Sequence, residues 1–311
     1  MYGERDDVHR RAFVELLLTL AVPLELTTLD RLVPPVSTVD VSLAAAAQDV
    51  SDAIRNAHKT GPSHYLLSPA QTHAKRCVEL LTQRAMAPEV RRGMMRAAGW
   101  AFLALGETQL NSDARQPAMN SFTEAEQCAI ASGDALLQAH ALLGRGCTHH
   151  GWKHQGLMFA RQAAHQVPAS APPDERSWFF LRAAEAYATR GRKEHFLATV
   201  DRAAHALAQS SESGIDGREA GFWGRYGHCL LELGNWTDAE QALQRGLQGP
   251  ARPRAQSRML TDLATVYARE GAQPLAYTTV NQALAIATQT GYTRQKAVAH
   301  HLHVRLFKST Q

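Results

Sequence analysis

The chain has 311 residues, 45% of them hydrophobic and 20% charged, with a formal net charge of +4 and an isoelectric point near 9.0. This composition excludes a disordered polyelectrolyte, and the mild charge, with no long block of basic residues, gives no sign of direct nucleic-acid binding. Alanine and leucine dominate and alternating runs of Val, Ile and Thr are scarce, so the chain reads as all-α.

The N-terminal stretch contains a decoy. His9-Arg10-Arg11-Ala12-Phe13-Val14 has the look of a twin-arginine export signal, and Leu16 to Leu24 is apolar and uncharged. Glu15 and Glu25 flank that run, no small-x-small cleavage site follows it, and it is too short to span a bilayer. The expectation is an amphipathic first helix, a proline-bearing linker over Val33 to Ser37, and a helix from Thr38 to Lys59 ended by Thr60-Gly61-Pro62. Residues 1–60 are thus read as a helical prelude and 61–311 as the main body. Cys77, Cys128, Cys147 and Cys229 stand singly, as reduced thiols do in a cytoplasmic protein, where this chain is expected to act with no membrane contact.

From residue 95 onward one helical phrase returns. Gly106, Gly151, Gly191, Gly234 and Gly271 each follow an apolar-periodic stretch, at successive intervals of 45, 40, 43 and 37 residues. The clearest copy runs from Ala220 to Pro253. Trp223, Tyr226, Gly227 and Leu230 fill the first-helix slots of a tetratricopeptide (TPR) repeat, Gly234 and Trp236 make the turn, and Ala239 and Leu243 fill the second-helix slots. Small residues at Gly227 and Ala239 let the two helices approach closely while the large ones interlock. The next copy reads Leu260, Leu263, Ala264, Tyr267, Gly271, Ala276, Val280, Ala283. Upstream stand Leu143, Gly144, Cys147, Gly151, Ala160, Ala163, and then Phe180, Ala183, Ala184, Tyr187, Gly191, Val200, Ala203, with Phe196 where a small residue is expected. The earliest is set at Met95, Ala98, Gly99, Phe102, Gly106, followed by a longer loop before Ala118, Phe122 and Ala125. The fold expected is therefore an all-α, TPR-like helical-repeat solenoid of about fourteen helices.

Catalytic signatures are missing: no G-x-x-x-x-G-K, G-x-S-x-G or H-E-x-x-H occurs. Gly144-Arg145-Gly146 is a fragment of a nucleotide fingerprint placed inside a helix. His150 and His154 have a usable metal spacing, but Gly151 breaks the helix between them, and Cys147 and His149 read as turn residues. His300, His301 and His303 fit a polar terminal helix. No enzyme activity, cofactor or metal is expected.

Packing motifs along nearly the whole chain resemble the TPR sensor region of actinobacterial Xre-type helix-turn-helix transcriptional regulators. The likeness rests on Asp7-Val8-His9-Arg10-Arg11-Ala12-Phe13, on Tyr65-Leu66-Leu67 to Leu80-Leu81, on Ala98-Gly99-Trp100 with Leu105-Gly106, on Ala131-Ser132-Gly133-Asp134 with Ala139-His140, and on Tyr226-Gly227 to Leu233-Gly234. Such regulators carry a DNA-binding head ahead of this point, and the sequence here starts near the junction. The resemblance implies either a sensor region separated from its head or a relative acting through a separate helix-turn-helix protein.

The resemblance also implies a ligand groove lined by first-helix positions: Arg96 and Trp100; Arg145 and His149; Trp178, Arg182 and Glu185; Arg225 and His228; Arg258, with Asp262 and Arg269 beside it. Arginine forks suit carboxylates, and tryptophan suits an apolar anchor. Arg145, Arg182 and Arg225 are expected as a free basic ladder one repeat apart. The related peptide-pheromone sensors hold a peptide backbone with groove asparagines, whereas Trp100, Arg145, Glu185, His228 and Thr265 are assigned to those slots here. The function expected is regulatory: the groove binds a peptide, a small acidic ligand or a protein partner to control transcription. The alternative is a general scaffold or chaperone-like adaptor with no small ligand. A homodimer is expected through the last helix, Thr293 to Lys308.

Overall fold

The computed structural model describes residues 40–60, 63–83, 86–149, 152, 154–210 and 217–309. The twin-arginine segment, the apolar run, the proline linker, His150 and Gly151 lie outside the described residues. Thirteen α-helices and no strand occur among the described ones. They are α1 (Val41–Thr60), α2 (Ser63–Gln83), α3 (Pro88–Asn111), α4 (Arg115–Ser132), α5 (Ala135–Thr148), α6 (His154–Gln166), α7 (Pro173–Thr189), α8 (Lys193–Ala208), α9 (Gly217–Glu232), α10 (Trp236–Gln248), α11 (Pro253–Arg269), α12 (Gln273–Gln289) and α13 (Thr293–Ser309). The architecture is the expected TPR-like helical repeat.

Two compact units divide the described chain. The first holds the residues up to Leu110 together with Ala114–Ala141, and the second holds Asn111–Asp113 and the residues from Leu142 onward. In the first unit Ala44, Ala47, Ala70, Ala74, Ala97, Ala98, Ala101 and Ala104 crowd around Ile54, Cys77 and Met94. So many methyl side chains bring helix axes close, and burial pushes the Cys77 thiol up to about 12.

The turns explain the repeat. Gly191, Gly234 and Gly271 adopt φ of 66°, 75° and 80°, the left-handed conformation that ends a helix at little cost only for glycine. After each, a backbone amide reaches back five residues: Asn235 N donates to Leu230 O at 2.9 Å, and Ala272 N to Tyr267 O at 2.9 Å.

Gly106 is different, and here the sequence reading is corrected. It lies inside α3, where an added Cβ would sit 2.6 Å from Phe122 Cε1. That is the environment of Gly227, whose Cβ would sit 2.7 Å from Leu243 Cγ. The left-handed position of this copy belongs to Asp113, with φ 60°, and Ala114 N donates to Gln109 O at 2.9 Å just as in the later turns. Asp113 follows Gly106 by seven residues, as Gly234 follows Gly227. The first copy therefore begins two helical turns later than the Met95–Phe102 phrase suggested. Aspartate replaced the expected glycine because a short polar side chain tolerates the left-handed region.

In the second unit α7, α9, α11 and α13 pack side by side as one layer, and α8, α10 and α12 pack behind them. The pairs Ala184 and Val200, Gly227 and Leu243, and Ala264 and Val280 stand sixteen residues apart at the same two places of each repeat, and all six residues are buried. Phe196, the odd residue of its copy, fits because its ring stacks on Tyr226 with centroids 6.1 Å apart.

Candidate functional site

Two of the candidate residues belong to the first unit and are structural in their contacts. Arg96 Nε donates to Asp134 Oδ2 at 2.9 Å, and Trp100 Nε1 donates to the same oxygen at 3.3 Å. The other oxygen of Asp134 accepts the Leu137 amide at 2.9 Å and so caps α5. Trp100 is only 5% exposed, covered by Arg55 at 4.4 Å and by the edge of His140. With the register corrected, the slot assigned to Trp100 passes to Glu107.

The remaining candidates lie in the second unit. Arg145 rests over the Phe159 ring at 4.3 Å, and His149 stacks on the same ring at 5.9 Å. Trp178 sits edge-on to Phe179 and stays 39% exposed. Arg269, at the end of α11, lies over Trp236.

Arg182, Glu185, Arg225, His228 and Arg258 converge. The helical offset of three residues puts Arg182 and Glu185 on one face of α7, and Arg225 and His228 on the corresponding face of α9. The guanidinium groups of Arg182 and Arg225 both donate to Glu185 Oε2. The other carboxylate oxygen accepts the indole N–H of Trp152 at 3.2 Å. Arg182 also donates to Cys147 Sγ at 2.8 Å and lies over the Trp152 ring at 4.9 Å. His228 Nδ1 meets Asp262 Oδ2 at 3.1 Å. Arg258 adds a third guanidinium, and its Nε is buried with no hydrogen-bond acceptor among the described residues.

The expected ladder of free arginines is thus replaced by a network. Arg182 and Arg225 share one carboxylate because Glu185 occupies the ninth slot of the helix between Arg145 and Arg225 in the repeat order. Trp152, a participant that sequence reasoning missed, sits between α5 and α6 at φ 47° and is 6% exposed. No repeat slot predicts it; the only sign was the pair of glycines, Gly146 and Gly156, that make room for its ring.

The electrostatics follow from the contacts. Burial alone would raise the pKa of Glu185, yet Arg182 and Arg225, with His228 and Arg258 behind them, hold it well below the usual carboxylate range. Burial, then the charges of Arg182 and Arg258, bring Arg225 down to about 10. His228 is disfavoured as a cation by burial, but Asp262 at 3.1 Å overcomes that and raises its pKa above the ordinary 6.5. Three guanidiniums therefore face one carboxylate of their own, while Asp262 is turned to the histidine. The cluster therefore carries surplus positive charge beside Glu185. No three His, Cys, Asp or Glu side chains converge as metal ligands among the described residues, and no described helix is long and apolar enough to cross a membrane.

No protein-family model matches the sequence, and no curated protein matches it. Solved structures do. A crystal structure of NprR in complex with its cognate peptide NprX aligns with a TM-score of 0.61 at 12% identity, over 99% of this chain and 86% of that one. The apo form of the quorum sensor NprR from B. thuringiensis aligns at 0.59 and 13% identity, over 97% of this chain and 82% of that one. At such identity the likeness is one of fold.

Proposed function

We propose that this chain is a regulatory sensor whose first-helix face binds a peptide or small acidic ligand and thereby controls transcription. The observation that carries the proposal is the cluster of Arg182, Arg225 and Arg258 around the single carboxylate of Glu185, with the side chains of Arg182, Glu185 and Arg225 12%, 10% and 16% exposed. Partly buried arginine forks are strong carboxylate receptors, because a low local dielectric strengthens charge-assisted hydrogen bonds. The peptide-bound NprR supports the same reading, since a fold of this kind there holds a peptide. The resemblance of the packing motifs to Xre-type regulators supports a link to a helix-turn-helix DNA-binding domain, on the same chain or on a partner.

The test has two stages. A library of short peptides is selected on the immobilised protein, and the transcripts of the native host are then profiled with and without the selected peptide, beside a deletion strain. A small gene set that responds to the peptide only when the protein is present is the expected result. Absence of any selected peptide together with an unchanged transcript profile in the deletion strain would overturn the regulatory reading. Capture of many unrelated folded clients would instead favour a general scaffold.

A further inference from the structure

We infer that Arg225 and Arg258 form the subsite for a single ligand carboxylate, with Glu185 acting as a built-in counter-anion that limits the site to one added negative charge. This rests on the reading of the first-helix face as a ligand site and specifies where on it the ligand's charge is held.

Geometry divides the five groups. Glu185 is fully committed: Oε2 accepts from Arg182 and Arg225, and Oε1 accepts from Trp152. Arg182 is committed too, between Glu185, Cys147 Sγ and the Trp152 ring. Asp262 is engaged by His228. Among the described residues Arg225 has one acceptor, Glu185, for a guanidinium that carries five N–H donors. Arg258, one repeat further on, has a buried Nε with no acceptor among the described residues, and its charge is felt by Glu185, Arg225 and His228. The unfilled donor capacity therefore lies on the α9–α11 side of Glu185, and the charge left over is positive. A buried donor without an acceptor is costly unless a ligand or water satisfies it.

The ligand chemistry follows. One carboxylate spans two adjacent guanidiniums, as Glu185 already does between Arg182 and Arg225. A dianion would meet Glu185 and Asp262, so a monoanionic carboxylate, such as a peptide C-terminus, fits best. Glu185 repels that ligand while organising Arg225 for it. Removing its charge but keeping its shape should tighten anion binding, and removing Arg258 should weaken it.

N-acetylleucine and N-acetylleucinamide are suitable probes, because they differ only in the charge at the carboxyl end. Isothermal titration and thermal shift with the full chain at constant ionic strength should show binding of the acid at millimolar concentration and none, or at least tenfold less, of the amide. Arg258→Gln should lose the acid-over-amide preference, and Arg258→Lys should recover it in part. Glu185→Gln should bind the acid at least tenfold more tightly. Circular dichroism identifies any variant that fails to fold, and the acid-against-amide comparison on the unaltered protein does not depend on the variants. Equal affinity for acid and amide, no binding of either, or a preference that survives Arg258→Gln would overturn the subsite. A selected peptide that controls transcription yet binds equally as acid and amide would leave the regulatory reading standing and remove this one. Charge-selective binding with no transcriptional response would do the reverse.

Discussion

Two glycines seven residues apart in α9 and its turn do different physical work, and a mutant cycle separates them. At Gly227 a Cβ would lie 2.7 Å from Leu243 Cγ and 3.1 Å from Ala239 O, so Gly227→Ala forces two packed helices apart. Overpacking of this kind costs about 1–3 kcal/mol, offset by about 1 kcal/mol because alanine is the better helix former. At Gly234 nothing lies within 4 Å of the added Cβ, but φ is 75°. Gly234→Ala therefore costs roughly 1–2 kcal/mol of left-handed strain and relieves nothing. Each change should lower the melting temperature by several degrees, at about 2–4 °C per kcal/mol for a unit of this size. The second substitution in the cycle is Leu243→Ala, which costs about 2–5 kcal/mol alone because the side chain is fully buried. Combined with Gly227→Ala it should cost about 1 kcal/mol less, since the shortened side chain removes the clash. Combined with Gly234→Ala it should be additive within about 0.5 kcal/mol. Urea denaturation of the five variants supplies the numbers. Additivity of Gly227→Ala with Leu243→Ala would refute close approach as the reason for glycine at 227, and with it the register assigned to every copy.

The charge network gives its own outcomes. Glu185→Gln removes the common partner of two arginines whose side chains are only 12% and 16% exposed, and should cost about 3 kcal/mol, the lower end for breaking a buried ion pair; unchanged stability in urea would mean that the carboxylate does not hold α7 to α9. Arg258→Gln, by contrast, removes a positive charge with no carboxylate of its own and should leave stability unchanged or slightly higher; a large loss would show that Arg258 is structurally paired after all. His228 faces Asp262, Glu185 and Arg258, and its folded pKa is raised above the ordinary 6.5. Its contribution to stability is therefore fully present below pH 6.5 and lost as the pH rises through the raised value. Stability measured from pH 6 to pH 9 should fall over that interval in the native chain and not in His228→Asn; a flat profile in both would contradict the His228–Asp262 ion pair.

The fold was legible because the repeat writes the same packing problem several times. Small residues such as Gly227 and Ala264 must face larger ones such as Leu243 and Val280 twelve or more residues later, and that spacing survives divergence. The first copy was misplaced by two turns for a physical reason. Gly99 and Gly106 are both close-approach glycines, the first against Cys128 and Leu137 and the second against Phe122, so either can begin the phrase. The turn that decides between them carries Asp113, whose left-handed backbone leaves no glycine to read. The site was legible only as a set of residue types. That Arg182 and Arg225 meet at Glu185 follows from their shared slot on neighbouring first helices, with Glu185 one turn further along α7. Which arginine is neutralised does not, because pairing across helices depends on which side chain happens to be acidic at the ninth slot. Trp152 lay beyond reach, since it enters the cluster from a connection and not from a repeat position.

The same geometry bears on why such an array would keep an expensive polar cluster in a layer that could be apolar. Burying ionic groups rarely stabilises a fold more than well-packed hydrophobic side chains would, and the unsatisfied Nε of Arg258 is a cost with no structural return. Corresponding first-helix positions hold the alternatives: Leu142, Ala141 and Ala104 are almost fully buried. The cluster therefore marks the part of the array where stability is given up. On the proposed reading, a function that uses it draws on the leftover positive charge in a largely buried site. Binding one carboxylate would satisfy the Arg258 donor, lower the mutual repulsion of Arg225 and Arg258, and leave Glu185 in place. Because α9 and α11 each carry part of that site, a bound anion would add a bond across the helix layer, and ligand occupancy would become a change in how tightly neighbouring repeats hold together.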